Sequence, residues 1–104
     1  MSIANGKLIF ENDFKIKAEF DNIDGNHYVF EIQLAVPIPP FEPADAILRY
    51  NSESQLEAIQ QVEGVLGDPV FNLNTSHGLV IEGVFSEPGR PTTAVVGEGF
   101  WIQA

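Results

Sequence analysis

NSESQLEAIQQVEGVL, residues 51–66, carries the pattern of an amphipathic helix. Asn51 or Ser52 can supply the N-cap and Glu53 places a carboxylate in the first turn. Leu56, Ile59, Val62 and Val65 or Leu66 then recur at helical spacing until Gly67-Asp68-Pro69 stops the run. Ser54, followed three residues later by Glu57, offers a second capping box. Gln55, Glu57, Gln60, Gln61 and Glu63 fall on the opposite, solvated face. The spacing predicts one helix over 53–66, set between segments with a different period.

Upstream, from Lys7 to Val36, the period is two, the mark of half-buried strands. Phe14, Ile16, Ala18 and Phe20 share one face, with Lys15, Lys17, Glu19 and Asp21 on the other. Tyr28, Phe30, Ile32, Leu34 and Val36 repeat the pattern after the turn-forming run 22–26. Opposed residues of a hairpin point to one face, so a two-residue Asp24-Gly25 turn would set Ala18 against Glu31. A three-residue loop, Asp24-Gly25-Asn26, opposes Phe20 to Phe30, Ala18 to Ile32 and Ile16 to Leu34, and is the expected register. Lys7 to Phe10 adds a short strand before it.

Four prolines in the seven residues 37–43 forbid a central strand or helix interior, so this segment is an extended crossing with Ile38 and Phe41 as plugs for the core. Ala44 to Tyr50 is too short to settle between strand and helical turn. Beyond the predicted helix, Val70–Leu73, Leu79–Phe85 and Thr93–Ile102 read as strands. Turns at 74–78 and 86–91 separate them, the latter with Pro88-Gly89 suited to type II. Gly83, Gly97 and Gly99 interrupt these strands, which calls for a bulge, a bend or close approach of another element. The expected architecture is one domain, 1–104, of the α+β class: an antiparallel sheet of five to six strands in the order β-β-β-α-β-β-β with the helix on one face. A small β-barrel or roll is the alternative.

Fifteen Asp plus Glu oppose five Lys plus Arg, a formal charge of −10 spread from Glu11 to Glu98. Such a surface repels phosphate backbones and anionic lipid and attracts basic proteins, so neither direct nucleic-acid binding nor a membrane partner is expected. With no cysteine, disulfides, thiolate catalysis and Cys-ligated metal are excluded. The N-terminal residues lack a secretory pattern and no apolar run is long enough to span a bilayer, which suggests a cytoplasmic location.

Local motifs are sparse. His77, beside Asn74, Thr75 and Ser76, is a candidate small-molecule or acid/base site if folding brings it to Asp68 or Glu82. His27 borders the hairpin turn on its polar face. Residues 21–26 gather acids and amides around Gly25 as a calcium loop does, but the closing twelfth position is Ile32, and the hairpin reading wins. Gly97-Glu98-Gly99 lacks the helix and lysine of a phosphate cradle, and no nucleophile elbow or His-Glu-x-x-His occurs. No cofactor or metal is implied. Phe100-Trp101-Ile102 is the densest aromatic spot, and alternation sends Trp101 to one face and its neighbours to the other. Trp101 with Val95 and Tyr50 forms a candidate interface, with Glu98 in an acidic rim, although large aromatics dominate small cores and the reading of Trp101 as part of the domain's own core comes first. The expected function is therefore a non-enzymatic acidic interaction module, of the inhibitor, immunity or nucleic-acid-mimic kind, docking on a basic protein. A binding or catalytic domain around His77, Asp68 and Glu82 is the alternative, and a structural subunit or homo-oligomer built through the C-terminal strand comes third.

Overall fold

The computed structural model describes residues 1–86 and 91–103. Eight antiparallel strands close into a barrel: β1 (Ser2–Asn12), β2 (Lys15–Ile23), β3 (Asn26–Leu34), β4 (Ala44–Tyr50), β5 (Ile59–Leu66), β6 (Val70–Thr75), β7 (Val80–Val84) and β8 (Thr93–Gln103). Around the barrel the order is β1-β2-β3-β8-β5-β6-β7-β4, with β4 returning to pair with β1. The α+β expectation is overturned, since among the described residues no helix packs on a sheet and the strands close on themselves.

The error lies in residues 53–66. Only Glu53–Gln55 forms a single 3-10 turn, and 59–66 is strand β5. Ser52 caps that turn through its Oγ, which accepts from Ser54 N at 3.2 Å, while Gln55 Oε1 accepts from Ser52 N at 3.0 Å. The capping box is thus Ser52 with Gln55 rather than Ser54 with Glu57. In β5, Gln60, Val62, Gly64 and Leu66 face inward, while Ile59, Gln61, Glu63 and Val65 face out. Apolar residues outside and a glutamine inside erase the period-two signal and leave an accidental helical spacing. The β-branched Ile59, Val62 and Val65, with Gly64, also weaken any helix here.

The first hairpin keeps the expected faces but not the expected register. Ile23 pairs with Asn26 across a two-residue Asp24-Gly25 turn, and an extra residue in β2 between Phe20 and Ile23 restores parity. Ala18 therefore opposes Phe30, Ile16 opposes Ile32 and Phe20 opposes Tyr28. Asn22, Asp24 and Gly25 all have positive φ, at 60°, 52° and 79°, the backbone that Asn, Asp and Gly tolerate best. Phe14 stands outside the strand and is exposed.

The barrel interior is a continuous apolar core. Leu8, Ile16, Phe20, Phe30, Leu48, Phe71, Leu73 and Ile81 are fully buried. Eight strands enclose a space that such side chains fill. One end is closed by the proline-rich crossing, where Ile38 and Phe41 are buried as expected of plugs. Phe41 packs against Phe10 at 5.8 Å and Phe85 at 4.8 Å between ring centroids. Leu56 closes the other end, and Gln60 holds its segment in place by donating from Nε2 to the carbonyls of Gln55 and Glu57, at 2.5 and 3.1 Å. Of the interrupting glycines, Gly99 shows the cause most plainly: a Cβ there would meet the Phe30 ring at 2.6 Å. The expected Pro88-Gly89 turn falls outside the described residues.

Candidate functional site

The residues expected to form a site around His77 are not brought together. His77 lies at the β6–β7 turn, where its carbonyl accepts from Gln55 Nε2 at 2.7 Å. Asp68 lies in the β5–β6 turn, at the opposite end of the barrel. Glu82 stands on the outer wall of β7 and binds Arg49 Nε at 2.6 Å. Among the described residues, no group of three or more His, Asp or Glu is placed to hold a metal ion.

The candidate interface is also rearranged. Trp101 opposes Phe30 and stacks on it with centroids 4.4 Å apart and rings 15° from parallel, next to Phe20 and Tyr28. Val95 is buried, and Tyr50 packs against the same core. These three residues build the inside of the barrel. Glu98 is exposed on the outside. The outward residues of β8 are Ala94, Val96, Glu98, Phe100 and Ile102, of which Val96, Phe100 and Ile102, at 51%, 45% and 40% exposed, are the large apolar groups that face solvent.

Strand pairing extends this strip sideways. Ile59, 65% exposed, sits directly opposite Phe100 across the β5–β8 ladder, and Val29 sits opposite Ile102 across β3–β8. Val29, Ile59, Phe100 and Ile102 therefore form one apolar cluster on three adjacent strands. Glu31 lies opposite Phe100 on the other flank, and Glu98 and Glu63 follow along the wall.

Charge divides the barrel in two. The strands β4, β1 and β2 carry Arg49, Lys7, Lys15 and Lys17, and each is ion-paired. Lys7 binds Asp45 at 3.1 Å, Lys15 binds Glu31 at 2.9 Å, and Lys17 lies 3.5 Å from Glu11 and 3.7 Å from Glu19. His27 sits at the edge of this half, with Nδ1 2.5 Å from Asp21 and Nε2 3.3 Å from Glu19. The hydrogen bond to Asp21 is the main cause that raises its pKa above the ordinary histidine value. The contiguous strands β3, β8, β5, β6 and β7 contain no lysine or arginine at all. Glu63 and Glu98 on this half have no ion-pair partner among the described residues.

Compared with protein-family models, with curated proteins and with solved structures, the chain matches none. Among the described residues, no helix is long and apolar enough to cross a membrane. Sequence reasoning missed Ile59, Val29 and Phe100 because the tryptophan drew attention to the other face. The inward run Val95, Gly97, Gly99, Trp101 was the available signal: glycines that alternate with apolar residues mark the crowded side of a strand.

Proposed function

We propose that this protein is a non-enzymatic interaction module that docks on a basic protein through the outer wall of β3, β8 and β5. The observation that carries this reading is the apolar cluster of Val29, Ile59, Phe100 and Ile102, set in the half of the barrel whose strands lack lysine and arginine. An exposed apolar centre with a carboxylate flank suits a partner that offers apolar side chains among cations. The carboxylates speed encounter and set orientation, and desolvation of Phe100 and Ile59 supplies most of the affinity. A charge of −10 disfavours nucleic acid as that partner. Closure of the barrel leaves no free strand edge, so contact is made by side chains rather than by strand addition.

The test is capture from a lysate of the native host at low and at high salt, comparing the wild type with Phe100→Ser and with Ile3→Ser on β1. The expected result is a basic protein held at low salt, weakened by salt, lost with Phe100→Ser and kept with Ile3→Ser. Equal recovery by both variants, or no protein held by the wild type in excess of the Phe100→Ser control, overturns the reading.

A further inference from the structure

The partner-binding half contains a shallow depression of about 350 Å³ lined by Gln61, Val62, Glu63, Asn74, Thr75, Ser76 and Val96. We propose that it receives an arginine side chain of the partner; this rests on the docking reading above and gives it a specific chemical anchor.

Three features support the assignment. Glu63 offers an exposed carboxylate opposite Asn74 in the β5–β6 ladder, with no lysine or arginine in the strands around it. The neighbouring polar groups are held in fixed positions. Ser76 Oγ accepts from Gln61 N at 3.0 Å, and Ser76 N donates to the Gln61 carbonyl at 2.9 Å, which fastens the β6–β7 turn to β5. Asn74 Nδ2 donates to Asn72 Oδ1 at 2.9 Å, leaving the Asn74 carbonyl oxygen as its acceptor. Beside these, Val96 is 51% exposed and provides an apolar surface for a long aliphatic stem.

A carboxylate beside side-chain oxygens, with an apolar strip alongside, matches a guanidinium better than an ammonium. The planar guanidinium has five N–H donors spread over a fork, can engage Glu63 in parallel and still reach neighbouring oxygens. A lysine would offer one compact, strongly hydrated charge to the same set. The Gln55 bond to the His77 carbonyl steadies the turn from its other side, so the depression does not have to be assembled on binding.

The test is a titration of the full chain, isotopically labelled, with N-acetyl-arginine amide, N-acetyl-lysine amide and the neutral isostere N-acetyl-citrulline amide, followed by amide NMR shifts at low salt. Arginine should shift residues 61–63, 74–76 and 96, at least threefold more tightly than lysine, and citrulline should leave them unmoved. Glu63→Gln should remove the response, while Asp45→Asn, on the other half of the barrel, should preserve it. Shifts scattered over the acidic surface, an equal response to citrulline or lysine, or an unchanged response in Glu63→Gln would each overturn the inference. The same Glu63→Gln variant separates this proposal from the docking reading. If it holds the captured partner as the wild type does while Phe100→Ser loses it, the docking surface stands and the arginine anchor falls.

Discussion

The two halves of the barrel share one alternation and one core, yet use their outward positions differently. On β4, β1 and β2 the outward places hold cations, each matched to a carboxylate within 4 Å. On β3, β8 and β5 they hold Val29, Val96, Phe100, Ile102 and Ile59, with Glu63 and Glu98 left without such a match among the described residues. Ion pairs also mark the borders: Lys15–Glu31 spans the β2–β3 seam and Arg49–Glu82 the β4–β7 seam. Charges already satisfied within the chain have less to offer a partner. Among the described strand residues, the carboxylates without such a match, Glu63 and Glu98, and most of the exposed apolar side chains lie on the other half, which is why the docking site is proposed there.

The strongest way to break the comparison is through what both halves share. Phe30→Ala removes the ring on which Trp101 stacks and exposes the space beside Gly99, and should cost about 3–5 kcal/mol. Gly99→Val approaches the same contact from β8 and should cost about 1–3 kcal/mol or more, since the Phe30 ring cannot retreat in a filled interior. Urea unfolding measures both. A cost under about 1 kcal/mol for Phe30→Ala would show that this inner layer is loosely packed, and the division between a rigid inside and a functional outside would fail.

The next effect is smaller in stability and larger in function. Phe100→Ser and Ile3→Ser each replace an exposed apolar residue, so each should change stability by about 1 kcal/mol or less. Their effects on partner affinity should separate by tenfold or more, with Phe100 the sensitive site. Calorimetric titration with the captured partner reads this directly. Equal losses from both variants would mean that the two halves do not differ in the way proposed.

How far the sequence could be read follows the same division. β2 and β3 were legible because their outward residues, Val29 excepted, are charged or polar where their inward ones are Ile16, Ala18, Phe20, Phe30 and Ile32. Their faces were recoverable, but the register was not, because nothing in the residue pattern announces a bulge between Phe20 and Ile23. β5 was illegible because Ile59 and Val65 lie outside, while Gln60 lies inside as a tie to residues 55 and 57. An outer wall that carries apolar residues resembles a core in sequence. The same ambiguity left Trp101 between core and candidate surface, since alternation separates it from Phe100 without saying which of the two faces in. Only the opposing Phe30, known from strand pairing, decides that.

Smaller still is the contribution of the seams. Arg49→Met removes the pair with Glu82, whose groups are 37% and 31% exposed, and should cost about 0.2–1 kcal/mol, less at high salt. Thermal unfolding at two salt concentrations measures it. A cost that does not shrink with salt would assign the role of Arg49 to packing of its stem against the barrel rather than to charge.

The smallest effect has a clear sign. His27 is held by Asp21 and also faces Glu19, and Lys7 of β1 lines the same surface hollow, so the carboxylates favour protonation while the lysine opposes it. The net result is a pKa raised by the Asp21 hydrogen bond, then by the charges of Asp21 and Glu19 against the cost of burial. A histidine whose folded pKa exceeds the unfolded value of about 6.5 stabilises the fold fully below about pH 6.5 and loses that contribution as pH rises through the folded value. Wild type should therefore melt above His27→Gln at about pH 6, and the gap should narrow by about pH 9. A gap that is constant or widens with pH would show that the imidazole acts only as a spacer between strands. Because His27 lies in β3, next to Val29, the same titration bears on the border between the two halves. Protonation at His27 fastens β3 to β2 without adding a lysine or arginine to the docking wall, so partner affinity should follow pH far less than stability does.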